Sequence, residues 1–343
     1  MPIDINWTTM STPQHGEAEY LCYQIIKQVR EQHGQNWDLP KTTFNKLCYI
    51  ADKELQKEGI DVELPVHWYR YGGVLTEEGM DGGFYELIDQ KWDDNRGQNV
   101  VLSDDIDDED FEIEEERATD IEEEAGGLVR ELGGYYGINI SQDYQYEEYA
   151  PNEFIRCLHE YRDFLTDLDE NGSLATEDYV EEVDVSFQDI VSQPSSSPST
   201  REAASSSSDE TNSRIRDYLD QLIIEYPEEK YSRMEDQFLE WENLSWQMAQ
   251  NGFYSRLYDF MDSFWNTFSR VELRIRHNRN VPMHIRSRWN QQVSDEMESF
   301  QSEIEEYRNV VLENREETEV LDMVGDTYSD TVRGMFDQTL KNE

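Results

Sequence analysis

Lys46 to Leu75, KLCYIADKELQKEGIDVELPVHWYRYGGVL, decides how this chain is read. Phe44, Leu47, Cys48, Ala51 and Leu55 are spaced three, one, three and four apart, which puts them on one face of a helix that Gly59 ends. Val62 to Tyr71 is rich in β-branched and aromatic residues and predicts a short strand or β-ribbon, turned by Gly72-Gly73. The stretch is free of the acidic padding found elsewhere, and it holds no catalytic pattern: Cys48 falls on the apolar face and His67 stands among aromatics.

Outward from it, Ala18, Leu21, Cys22, Ile25, Ile26 and Val29 mark a helix over residues 15–33 that Gly34 ends. Residues 152–168 carry another apolar stripe through Ile155, Leu158, Tyr161, Leu165 and Leu168. Between Asp104 and Glu124, fourteen of twenty-one residues are Asp or Glu, which predicts a solvated acidic insertion. Ser192 to Thr211 is Ser-rich, cannot bury a core and reads as a linker. Beyond it the apolar spacing is helical again, ending in Met297, Phe300, Ile304, Tyr307 and Val311, a bundle or coiled-coil seam. The expected fold is mostly α: an N-terminal helical domain with a short β-ribbon over 1–190, a flexible linker over 191–212 and an antiparallel helix bundle over 213–343.

The formal net charge is −48, from 77 acidic and 29 basic residues. Such a surface repels itself unless salt screens it, and at molar salt the Debye length falls to about 3 Å. Acid-rich, Lys-poor composition resembles that of proteins from halophilic archaea, so the charge reads as a solubility adaptation. Three isolated cysteines, Cys22, Cys48 and Cys157, form no CxxC and read as buried apolar residues in a reducing compartment. The N-terminus has no secretory pattern and no apolar run reaches spanning length, so a soluble cytoplasmic protein is expected.

Lys46-Leu47-Cys48-Tyr49-Ile50-Ala51-Asp52, followed by Trp68-Tyr69-Arg70-Tyr71-Gly72, resembles the Panacea antitoxin domain, with residues 15–165 as its extent. Gly73 stands where that family has Pro, and the 104–124 run is foreign to it. The resemblance implies a mostly helical module that neutralises a toxin or effector by direct contact, with no catalytic residue. Trp68, Tyr69 and Tyr71 are the partner-binding candidates.

Arg279-Asn280-Val281-Pro282-Met283-His284 resembles the RNxxxH motif of HEPN ribonucleases. That resemblance implies a metal-independent endoribonuclease working as a homodimer through the C-terminal helices. Arg279 would bind the scissile phosphate, His284 would move protons and Asn280 would orient the pair while capping a helix. The same residues also read as a turn with a surface histidine at a helix start. Between Arg270 and Arg288 lie six Arg (270, 274, 276, 279, 286 and 288) and two His against one acid, Glu272. This island suits RNA phosphates, an acidic partner, or the 104–124 run of this chain or another copy.

Asp167, Asp169, Asn171 and Asp178 match an EF-hand loop around Gly172, with Asp where the bidentate Glu belongs, a set that would favour Mg²⁺ over Ca²⁺. The competing reading is a helix-ending Asn-Gly turn. Three functions are therefore carried forward: a regulatory protein of toxin–antitoxin or phage-defence type, a ribonuclease effector held in check by its N-terminal domain, and a structural helical assembly.

Overall fold

The computed structural model describes residues 15–34, 39–80, 84, 88–93, 97–103, 106–132, 138–176 and 199–341. The fold is mostly α, with two small antiparallel sheets. The chain divides into two compact units, one made of 1–156 and 268–294, the other of 157–267 and 295–343.

The first unit starts with helices α1 (Glu17–His33) and α2 (Lys41–Lys57). Their apolar faces bury Leu21, Cys22, Ile25, Ile26 and Val29 against Phe44, Leu47, Cys48 and Ala51, as the spacing predicts. Cys22 Sγ and Cys48 Sγ meet at 3.9 Å in this interface, and burial pushes the Cys22 thiol up. Strands β2 (Val66–Tyr69) and β3 (Gly72–Leu75) form a hairpin around Arg70-Tyr71, with Tyr69 paired to Gly72. Gly72 has φ +100°, which favours glycine, and a Cβ at Gly73 would collide with the Tyr49 ring. That close approach lets the buried Gln145 tie the hairpin to α2: its Oε1 accepts from Gly73 N at 3.0 Å and its Nε2 donates to Lys46 O at 3.1 Å. Gln145 comes from α4 (Ile138–Tyr149).

A second sheet joins β1 (Leu39–Pro40), β5 (Gly97–Leu102) and β4 (Ile88–Asp93) in the order β1-β5-β4. The sequence pattern did not disclose it.

The acidic run differs from its expectation. Its second half belongs to α3 (Glu115–Leu132), whose Ile121, Ala125, Leu128 and Val129 form a buried stripe; α3 packs on α1. Asp108 accepts from Lys27 Nζ at 2.8 Å and Gln24 Nε2 at 3.1 Å, and Arg117 donates to both carboxylate oxygens of Glu17. Phe111 sits among His15, Tyr20 and Tyr23. The segment is thus built into the unit by a few apolar anchors that the surrounding charge obscures. Asp104 and Asp105 lie outside the described residues.

The acid-poor stretch 268–294 completes this unit rather than the helical bundle. A π-turn (Ser269–Leu273) and a one-turn helix α9 (Arg274–Arg276) lead into β6 (Asn278–Arg279), which pairs antiparallel with β2: Val66 with Arg279 and His67 with Asn278. Trp68 N donates to His277 O at 2.8 Å. The sheet order is β3-β2-β6.

The second unit is helical. It takes the later part of α5 (Glu153–Thr176), α6 (Ser199–Glu225), α7 (Glu235–Gln250), most of α8 (Tyr254–Phe268) and α10 (Met283–Lys341) from residue 295 onward. Its core is aromatic: Trp241 stacks on Phe264 at 4.3 Å, Tyr226 on Phe238 at 4.3 Å, and Phe260 meets Tyr307 at 4.5 Å. Residues 199–212, read as linker from composition, are the start of α6; 191–198 lie outside the described residues. Among the described residues no helix is long and apolar enough to cross a membrane.

Candidate functional site

The first unit brings two stretches distant in sequence to one place. Pairing with β2 delivers Arg279 to α2, where its guanidinium pairs with Asp52, and Nη1 donates to Asp61 Oδ1 at 3.0 Å. Asp52 is fully buried, and its Oδ2 accepts from Gln56 Nε2 at 2.6 Å. Burial pushes the Asp52 carboxyl up to about 6, against the pull of Arg279 and Lys53. Burial likewise pushes the Tyr49 hydroxyl up and, despite Asp52 nearby, the Lys53 ammonium down.

Four more arginines of the basic island are engaged in the same unit. Arg288 pairs with Glu78, Arg276 with the buried Glu272 at 2.5 Å, and Arg270 Nε donates to Tyr69 Oη at 3.4 Å. Arg274 lies over the Trp289 ring at 5.5 Å, and Trp289 packs on His67 with ring centroids 4.9 Å apart. Burial and then Arg274 push the His67 imidazole down to about 3; its Nδ1 lies 2.8 Å from Thr76 Oγ1. Arg286 and His284 are exposed on the first turns of α10. Four carboxylates paired with the island, Asp52, Asp61, Glu78 and Glu272, lie outside the 104–124 run.

This placement corrects several expectations. Arg279 faces two carboxylates, one fully buried, so a phosphate would have to displace both. Asn280 does not cap a helix: α10 begins at Met283, and Pro282 O accepts from Ile285 N at 3.1 Å and Arg286 N at 3.2 Å. Asn280 has φ +55° instead. Trp68 is core, 1% exposed, between Tyr49 and Tyr146, so it offers no surface to a partner. Tyr69 and Tyr71 are half-buried, and Tyr71 is covered by the Arg70 guanidinium at 4.4 Å. The EF-hand pattern falls on α5, which stays helical through Thr176 and so lacks the sharp turn at Gly172. Asp167 and Asp169, two residues apart on a helix, point about 200° apart and cannot converge on one ion. The side chain of Asn171 and all of Asp178 lie outside the described residues.

Beside the Arg279 clip is a concave site of about 410 Å³ that the sequence did not single out. It is lined by Gly16 to Glu19 at the start of α1, by Val62, Glu63 and Pro65, by Gly79-Met80 and by Asn280. Glu63 has φ +54°, so both non-glycine residues described with left-handed backbone, Glu63 and Asn280, border it. Such conformations cost about 1–3 kcal/mol each and persist where the surroundings over-determine them. Asp61 links clip and cleft: its Oδ1 accepts from Glu63 N at 2.9 Å as well as from Arg279.

Three carboxylates, Glu17, Glu19 and Glu63, stand in this lining. Glu19 is buried and accepts from Gly16 N at 3.1 Å, closing the first turn of α1, while Glu17 is paired with Arg117 at 2.8 Å. No family model, characterised protein or solved structure matches this chain. The cleft must therefore be read from its own chemistry: with Glu17 held by Arg117 and Glu19 by Gly16, the exposed Glu63 carboxylate at its edge suits one guanidinium or ammonium group. A sequence signal existed only for its edge, since an Asp two residues before another backbone N–H commonly forms an Asx turn, here Asp61 to Glu63.

Proposed function

We propose that this chain is a regulatory protein of toxin–antitoxin or phage-defence type, acting by contact with a protein partner and not by catalysis. The observation that carries this reading is the cleft edged by the exposed carboxylate of Glu63, bordered by two residues with left-handed backbone and braced by the Arg279 clip. A cationic side chain of the partner would enter it. The chain's net charge of −48 would draw such a partner in at long range.

The charge also sets the condition of the test, because in dilute salt any basic peptide adheres to so acidic a chain. In about 1 M salt only contact pairs survive screening. Titrating the full chain there with an oligo-arginine peptide should give saturable binding that Glu63→Gln weakens about two- to fivefold, the worth of one exposed ion pair. Glu116→Gln, on the exposed acidic run, should leave it unchanged. Equal losses from the two changes would sink the cleft reading. RNA cleavage by the same preparation, abolished by His284→Ala, would restore the ribonuclease reading. Large regular oligomers by light scattering would favour a structural assembly.

A further inference from the structure

The core of the second unit contains a row of polar atoms that its aromatic packing does not explain. Gln237, Trp241 and Ser245 lie four residues apart on α7 and so share one face. Trp241 and Ser245 are fully buried. Gln237 Oε1, Trp241 Nε1 and Ser245 Oγ are each buried with no hydrogen-bond partner among the described residues. From α5, the fully buried Tyr161 brings a fourth such atom, its Oη, and its ring stands edge-on to Trp241 at 6.2 Å. Burial, and then the nearby Glu242 carboxylate, push the Tyr161 hydroxyl up, so it keeps its proton and can donate.

Buried polar atoms left without partners are costly, and proteins satisfy nearly all of them. Four of them, three on one face of α7 and one on the Tyr161 ring that meets Trp241, call for a common ligand. An indole N–H can only donate, an amide oxygen can only accept, and the two hydroxyls do either. A cation would leave the indole unsatisfied, and an anion would be repelled by the amide oxygen and by Glu242. A small neutral molecule that both donates and accepts fits.

We propose that a short chain of internal water molecules runs along this face of α7, held by Gln237, Trp241, Ser245 and Tyr161. The bundle core is then a polar seam within a ring-stacked interior, and the waters fix how α5 and α7 face each other.

The test uses the full chain with ¹⁵N-labelled indoles and water-selective cross-relaxation NMR. The Trp241 Nε1–H line, assigned by its shift in Tyr161→Phe and its loss in Trp241→Phe, should show a cross-peak from a long-lived water. Ser245→Ala, which removes one ligand at little steric cost, should lower Tm by several degrees. Absence of the cross-peak would overturn the proposal. So would an unchanged or raised Tm in Ser245→Ala, the result expected when a dry, unsatisfied hydroxyl is deleted from a core.

Discussion

The two units are held together by different chemistry. The first adds a set of charge clips to its apolar helix interface: Arg279 on Asp52 and Asp61, Arg117 on Glu17, Lys27 on Asp108 and Lys41 on Glu77. The second is held by stacked rings, with Trp241, Phe264, Phe260, Phe300 and Phe238 in one cluster. Ring packing has no titratable part and is indifferent to screening. A buried ion pair has a net worth that depends on what each partner loses by leaving water. The first unit should therefore answer to pH through its clips, while the ring stacking of the second does not.

The sharpest way to break that contrast is in the second unit. Phe264 is fully buried and stacked on Trp241. Phe264→Ala should cost about 3–5 kcal/mol, the range for deleting a buried aromatic ring. Urea melts should show the same cost at low and molar salt and between pH 5 and 8. A strong salt or pH dependence would mean that the contrast is misplaced.

Next in size is Arg279→Ala. Removing one partner of a buried pair costs about 3–5 kcal/mol. Here the loss should be about 2–3 kcal/mol near neutral pH, because Arg279 keeps a quarter of its side chain exposed and Asp52 can take a proton. At pH 5, where Asp52 is largely neutral, the cost should shrink. Arg279→Lys should recover only part of it, since a single ammonium does not span two carboxylates as the guanidinium fork does. A cost that stays constant from pH 5 to 8 would show that Asp52 is not the group that matters.

The residues themselves explain why some of this could be read in advance. α1, α2 and α5 were legible because their apolar residues repeat at helical spacing with nothing to mask them. α3 was masked: Ile121, Ala125, Leu128 and Val129 carry the same spacing, but the first of them is embedded in carboxylates, and composition outweighed periodicity. The β5–β4 hairpin was hidden because its strands carry too few apolar residues in alternation. For the site, the basic island was visible and its partners were not. Asp52, Asp61 and Glu78 are ordinary acids in an acidic chain, and only the pairing of β6 with β2, residues more than two hundred positions apart, makes them the partners of Arg279 and Arg288. The RNxxxH spacing survives as a sequence, while the fold sends Arg279 to α2 and leaves His284 on the exposed start of α10.

The smallest expected effect is also the one that separates two neighbouring groups of opposite sense. The Asp52 carboxyl is raised from 3.8 to about 6, so it binds its proton more tightly in the folded unit than in the unfolded chain. Its contribution to stability is full below about 3.8 and is lost as pH rises through about 6. His67 is lowered from 6.5 to about 3, so its contribution is full above 6.5 and is lost as pH falls toward 3. Between pH 6.5 and 4 the two slopes oppose each other, and the wild-type melting temperature of the first unit should change little. Asp52→Asn keeps the shape, leaves Asp61 to hold Arg279 and removes one slope. In that variant the Asp52 slope is gone, the His67 slope prevails, and Tm should fall as pH drops across the window. Parallel Tm profiles for wild type and Asp52→Asn at pH 6.5, 5.5 and 4.5 would mean that Asp52 does not titrate there, and that the clip is held by charge at every pH the cleft would meet.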